Sequence, residues 1–498
     1  MRKELHLLAL FLLGACAEPA PGSPPRGTEP PDSGPAVPGA TADAADAGAS
    51  REHCPRHELA APCPPCDCPL PAVCRGAPCF LGQRCAEGGC RPAVERERGL
   101  SPDTLQLSLD VSGQGSVVLA GSFLEQEPSA AGRGTSQLLL ARLTPEGSFQ
   151  WSRSWGGEGE EAAAAVAIGQ GGDLWVAGGF RGAELAVEDL RIPWTEGRDR
   201  EGHPVPDAFL LKLMGGGIPV WLQGIGTPGA EEVLGLATGE EGAAFLLLRT
   251  DAPGISLGRE RPKRLEGDDL PAGGFVLARM LTDGECQWAR GFPGTSPVLT
   301  VYRDDQLYLA AAAGGTAPRV AWQQLPACGA WLARLDWDGD LVWARALEGD
   351  PDLAATALAS FEDGDIALAG TGTPSGFPSS QGRGPGWVAR LSPVGVPERL
   401  LRLGGDAGGL HVATLHRGRD GALHLAGTFS GTLAWKDVVP RPDLSGGLFA
   451  GTLDPAGEPA AVLALEGEAA GAARDDRDRL HVLDRGTGRA FRLLALEP

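Results

Sequence analysis

The residues best suited to chemistry crowd into one short stretch. Residues 53–92 hold eight cysteines, Cys54, Cys63, Cys66, Cys68, Cys74, Cys79, Cys85 and Cys90. The thiolates of Cys63-Pro-Pro-Cys66-Asp-Cys68, with the imidazoles of His53 and His57, are of the types that ligate zinc. A CxxC pair can also exchange disulfides. A second CxxC to complete a zinc site is missing, however, and an even number of closely spaced cysteines in a chain that leaves the cytoplasm reads as a disulfide framework. Eight cysteines allow about 105 pairings, and none is assigned. The expectation is a disulfide module with no metal. Cys286 and Cys328, far downstream, fall in successive copies of a repeat on runs that could face each other, and they are read as either a disulfide or two isolated buried thiols.

The rest of the chain is poor in catalytic patterns. No HExxH or P-loop occurs, and no GxSxG or GxGxxG lies in a strand-to-helix setting. The stretch Asp336-Trp337-Asp338-Gly339-Asp340 has the carboxylate spacing of a calcium loop. It lacks the distal Glu and falls where every other copy of the repeat has a plain turn. No catalytic residue, metal or cofactor is expected. The net charge of −21 excludes the basic footprint of a nucleic-acid binder.

The N-terminus is a targeting segment. Arg2 and Lys3 precede the apolar run Leu5–Leu13, which is too short to span a bilayer. Leu13-Gly14-Ala15-Cys16 follows, and it resembles the signal of bacterial lipoproteins. The resemblance implies cleavage before Cys16, lipid on its sulfur and amine, and, from Ala17, an outer-membrane address. Residues 1–15 are then the signal peptide and 16–52 the lipidated terminus. That segment is a tether rich in Pro, Ala and Gly that cannot bury a core. Residues 53–92 are the cysteine module, and 93–498 a separate domain.

That domain is built on a long-period repeat: ARLTPEGSFQW from Ala141, LKLMGGGIPVW from Leu211, ARMLTDGECQW from Ala278 and ARLDWDGDLVW from Ala333. Two copies, from Ala389 and Gly451, keep the glycine and lose the tryptophan. Each copy sits among four short β-rich runs separated by turn residues. Six full sets and a three-run seventh imply an all-β fold, a β-propeller of four-stranded blades. Seven blades are expected, with six or eight as alternatives. The fourth run of the last blade is expected from Ala93–Leu100, which closes the ring and removes its edges.

The repeats resemble a group of exported bacterial propeller repeats, as in Asp207-Ala208-Phe209-Leu210-Leu211-Lys212-Leu213 and the run from Ala165 to Phe180. They are less similar to PQQ-like propeller repeats, whose usual Asp is replaced by Leu143, Leu213, Met280, Leu335 and Leu391. Members of the first group are largely uncharacterised lipoproteins and secreted proteins. The second includes a non-enzymatic lipoprotein of the outer-membrane barrel-assembly machinery.

The connections between second and third runs are long, and loops on rigid scaffolds often bind ligands. Trp194, Trp322 and Trp435 lie in them and are the candidate contact residues, the alternative being that they cap their own small hairpins. The resulting expectation is a membrane-anchored, non-enzymatic binding or scaffolding protein for a protein or glycan ligand. The alternatives are an outer-membrane assembly accessory protein and a propeller lyase or glycosidase.

Overall fold

Each repeat folds as its pattern of runs and turns requires. Apolar runs of six to nine residues form antiparallel strands, and glycine-bearing turns reverse the chain between them. In this computed structural model the described residues are 104–124, 136–145, 147–156, 159–199, 201–302, 306–361, 363–382, 384–404, 409–418, 420–435, 444–475, 479–485 and 491–496, with the backbone of short strands between 73 and 99. Cys16, Cys54, Cys63, Cys66, Cys68 and Cys79 lie outside them, and Cys74, Cys85 and Cys90 are described as backbone alone.

The sheet pairings resolve into seven four-stranded blades, each ordered from the inside outward. Blade 1 is Thr104–Val111, Val117–Leu124, Ser136–Leu143 and Phe149–Trp155, and blade 2 is Glu160–Ile168, Leu174–Arg181, Asp207–Leu213 and Pro219–Ile225. A single parallel bridge, Glu160 to Ser136, joins these two into one sheet. Blade 3 is Glu231–Thr238, Ala244–Thr250, Phe275–Met280 and Cys286–Phe292, and blade 4 is Thr295–Tyr302, Gln306–Ala312, Ala330–Leu335 and Leu341–Leu347. Blade 5 is Ala354–Ser360, Ile366–Thr371, Gly386–Leu391 and Pro397–Leu403, with the short strand Ser380–Gly382 along its outer edge. Blade 6 is Leu410–Arg417, Leu423–Ser430, Gly446–Leu453 and Pro459–Leu465. Blade 7 takes Ala469–Arg474, Leu480–Arg485 and Phe491–Leu496 from the end of the chain and its fourth strand, Val94–Gly99, from the beginning. The ring is a β-propeller closed by the expected segment.

Seven clusters of buried side chains, one at each seam between consecutive blades, hold the ring together. The seam of blades 7 and 1 packs Ala473, Leu483 and Leu493 against Leu107, Val117 and Leu143. Every innermost strand carries a β-bulge near its start, for example between Ala163 and Ala165 and between Val412 and Thr414. The bulge pushes a carbonyl toward the second strand, which explains the recurring Ala-Gly there. A Cβ on Gly178 would lie 2.0 Å from the oxygen of Ala162, and one on Gly427 2.0 Å from that of His411.

The repeat motif itself is an inter-blade lock. The tryptophan lies on the outermost strand and packs on the turn glycine of the next blade. A Cβ on Gly339 would come within 2.7 Å of the Trp288 ring, and one on Gly395 within 2.6 Å of Trp343. The indole N–H of Trp221 donates to the carbonyl of Thr282 at 2.9 Å, and that of Trp288 to Trp337 at 2.9 Å. Gly339 serves twice, because its φ of 74° also suits the turn.

Candidate functional site

Three places can hold function: the central channel, the seams, and the long insertions. The innermost strands surround the channel, and hydrogen bonds between neighbouring blades fix its wall. Asp110 of blade 1 accepts the N–H of Ile168 of blade 2 at 2.7 Å. The Thr238 hydroxyl of blade 3 donates to the Ile168 carbonyl at 2.9 Å. Thr356 of blade 5 donates to the Val412 carbonyl at 2.6 Å, and the Nε2 of His416 lies 3.1 Å from the Ala472 carbonyl. A cavity of about 380 Å³ within the channel is lined mostly by Leu, Ala, Val and Thr of blades 3 to 6. A second, of about 660 Å³, opens among the first hairpins of blades 1 to 3, with Val301 and Tyr302 of blade 4.

The buried ionisable groups sit in these walls and seams. Burial pushes Asp110 up to about 6, against the opposing pull of the Ile168 and Val111 N–H groups. Glu231, 1% exposed, is pushed up to about 7 by burial, with Asp207 adding to the rise and Thr227 and Thr250 opposing it. Its carboxylate accepts the Thr227 N–H at 3.0 Å and the Thr250 hydroxyl at 2.8 Å. Asp207 accepts the N–H and hydroxyl of Thr195, both at 2.7 Å. Burial pushes His416 and His424 down to about 4.

These shifts have opposite consequences for stability. A carboxyl raised in the folded state stabilises fully below its unfolded value, and that contribution is lost as pH rises, here from 4.5 through about 7 for Glu231. A lowered histidine stabilises above 6.5, and that is lost as pH falls through about 4. The two slopes offset between roughly pH 4.5 and 6.5. Glu231→Gln, which stays neutral and can donate to both threonines, is expected to unmask a rise in stability with pH. At pH 8 it should exceed wild type by up to about 3 kcal/mol. Urea denaturation across pH 4.5–8 checks this; parallel profiles for the two proteins would contradict it.

The described insertions pack much of their length into the ring rather than standing clear of it. Those of blades 2, 3, 4 and 6 each send apolar residues into the seam with the preceding blade: Leu185, Val187 and Ile192, Ile255, Leu257 and Leu265, Val320 and Leu325, Leu433, Trp435 and Leu444. Blades diverge outward from the axis, and the insertions fill the widening wedge. Trp435 is therefore not a contact residue. It is 2% exposed, and its ring lies where a Cβ on Gly451 would meet it at 2.4 Å. Trp194 is half-buried against the seam of blades 1 and 2, its indole N–H donating to the Val205 carbonyl at 3.0 Å. Trp322 is 66% exposed, at a two-residue turn between Arg319–Val320 and Gln323–Gln324.

Of the two readings of Cys286 and Cys328 the structure has the second: no disulfide joins them, and both are buried free thiols. Cys286 faces the seam of blades 2 and 3, and Cys328 that of blades 3 and 4. The sheet of blade 3 separates them.

The basic residues of the third strands in blades 2 and 3 are buried, which alternation along each strand does not show. Lys212 and Arg279 are 4% and 1% exposed. Each is paired in register between an aromatic residue of the second strand and the tryptophan of the fourth: Trp175, Lys212, Trp221 and Phe245, Arg279, Trp288. The Lys212 ammonium sits 4.0 Å from the Trp175 ring centroid and pairs with Asp173. Their recurrence directly opposite the tryptophan was the available signal.

Among the described residues no group of three or more His, Cys, Asp or Glu is placed to hold a metal. The sequence matches no protein-family model and no curated protein. Similar solved structures include a protein of unknown function from Bacteroides caccae, 11% identical over 66% of this chain and 90% of that one, with a TM-score of 0.34. An acylaminoacyl peptidase from Pyrococcus horikoshii is 12% identical over 78% of this chain and 51% of its own, with a TM-score of 0.41. A puromycin hydrolase is 15% identical over 79% and 55%, with a TM-score of 0.40.

Proposed function

We propose that this chain is an outer-membrane lipoprotein, anchored through lipid on Cys16, that presents its propeller as a non-enzymatic binding surface for a protein or glycan. The observation that carries the binding role is Trp322. An indole this exposed loses hydration favourably only when something covers it, and its hairpin is held rigid. Ala321 adopts a φ of 50°. The Gln323 side chain clamps the backbone of Ala344, donating to its carbonyl at 2.9 Å and accepting its N–H at 3.0 Å. A preorganised aromatic limits the entropy lost on binding. The use of Asp110, Glu231 and His416 in hydrogen bonds within the wall and seams also favours a scaffold over a catalyst. The anchor rests on Leu13-Gly14-Ala15-Cys16 and the tether that follows it.

The experiment is fractionation of cells making wild type and Cys16→Ala, with protease added to intact cells. Wild type is expected in the outer membrane and Cys16→Ala in the soluble fraction. Shaving of wild type by protease places the propeller at the surface, and protection places it in the periplasm. Membrane retention of Cys16→Ala would overturn the anchor.

A further inference from the structure

The third-strand basic residue of blade 1 lacks the carboxylate partner found in blades 2 and 5. In blade 2 the third-strand Lys212 pairs with Asp173 of the first hairpin. In blade 5, Arg390 pairs with Asp365 at 2.6 Å. The same turn bond, from the first residue's N–H to the fifth residue's carbonyl, sets this position in all three blades: Gly169 to Asp173, Phe361 to Asp365, and Ser112 to Ser116. Blade 1 thus has a serine, as blade 3 has Ala243 and blade 6 Ala422, where blades 2 and 5 have the carboxylate. Its basic residue, Arg142, donates from Nη1 to the Gly215 carbonyl at 2.9 Å. Its Nε is buried without a partner. Among the described residues no carboxylate pairs with it, although the chain carries 64 Asp and Glu.

Arg142 also lines the 660 Å³ cavity at the mouth of the channel, a volume typical of small-molecule sites. Gln114, Gln170, Thr238 and Tyr302 line it too, which adds amides, a hydroxyl and a phenol to one guanidinium. The wall is already fixed by the bonds of Asp110 and Thr238 to Ile168, so a ligand meets a formed site. One cation matches one carboxylate, whereas a phosphate dianion would keep an uncompensated charge. Amides and hydroxyls suit a ligand rich in hydroxyl groups.

We propose that this cavity binds a hydroxylated carboxylic acid of the uronic-acid type, its carboxylate on Arg142 and its hydroxyls on Gln114, Gln170 and Thr238. This goes beyond the anchored-binding reading and does not depend on it.

The test is calorimetric titration of the full chain with sodium glucuronate, glucose and inorganic phosphate. Glucuronate is expected to bind at least about tenfold more tightly than glucose. Arg142→Gln is expected to erase that difference. A thermal melt checks that the variant folds. Should it not fold, Gln170→Ala, at an exposed turn position, is expected to weaken glucuronate binding with the melt unchanged. A short oligogalacturonate separates the two sources of such an acid: binding as tight as glucuronate indicates a polymer end, and weaker binding the free acid. Equal binding of glucose, preference for phosphate, or no binding of any of the three would overturn the proposal.

Discussion

Deletion of Val94–Gly99 is expected to abolish the monomeric folded ring. Without this strand, blade 7 keeps three strands, and Phe491–Leu496 presents an unpaired edge. The pairings of Arg492 with Gly99, Leu494 with Glu97 and Leu496 with Val94 are the covalently independent join that fixes blade 7 at both ends of the domain. Their loss is expected to cost on the order of 5 kcal/mol, enough to consume the stability of an ordinary domain. The protein should elute from gel filtration as aggregate and lose its cooperative circular-dichroism melt. A chain shortened instead to begin at Ala93 keeps the closing strand and is expected to melt close to the full chain. If the chain lacking 94–99 stayed monomeric with an unchanged melt, the closing role would be wrong.

The second large effect is expected at Trp288. Its ring is 5% exposed, stacks on the Gly339 turn and holds the Trp337 carbonyl. Trp288→Ala removes that packing and leaves the carbonyl without its donor, for a loss of about 3–5 kcal/mol. Trp322→Ala, which removes an exposed indole, should change stability by less than about 0.5 kcal/mol. Guanidinium denaturation of the two variants makes the comparison. The reverse experiment exists at blade 5, where Arg399 occupies the tryptophan position. Arg399 reaches instead to Ala456 and Glu458, beside a void of about 20 Å³ lined by Phe361, Val388, Leu401, Leu423 and Leu453. Arg399→Trp should fill the void and dock on Gly457, raising stability by about 1 kcal/mol after loss of the ion pair. A drop in stability would show that the ion pair outweighs the missing indole.

Much of the scaffold is legible in the sequence. The four runs per repeat, the turn glycine and the outermost tryptophan follow from local patterning, and the three-run last repeat pointed to its partner near residue 94. The function of the insertions was not legible. Alternation in Glu184–Val187 or Gly254–Leu257 shows that one face is apolar, but it does not say that the face belongs to a neighbouring blade. The buried rows of Lys212 and Arg279 were hidden for a related reason. Both faces of a blade are covered by its neighbours, so the rule that a charged residue marks the solvent side fails. Cys286 and Cys328 looked like partners in sequence because they lie in adjacent repeats; the thickness of one sheet between them is a three-dimensional fact. The candidate site at Arg142 was hidden because its guanidinium and the amides of Gln114 and Gln170 come together only where the first hairpins of several blades surround one cavity.

The join in blade 7 also orders events in time. A chain made from its N-terminus releases Val94–Gly99 before any blade, yet that strand's partner, Phe491–Leu496, is synthesised last. Blades 1 to 6 take all four of their strands from neighbouring sequence and can form as they emerge, whereas the ring stays open until synthesis is nearly complete. Loop-closure entropy over almost the whole domain must be met at that last step. Until then blade 1 has an uncovered apolar side at Leu107, Val117 and Leu143. Slow closure, with its dependence on whatever shields that side in the meantime, is thus written into the position of six residues.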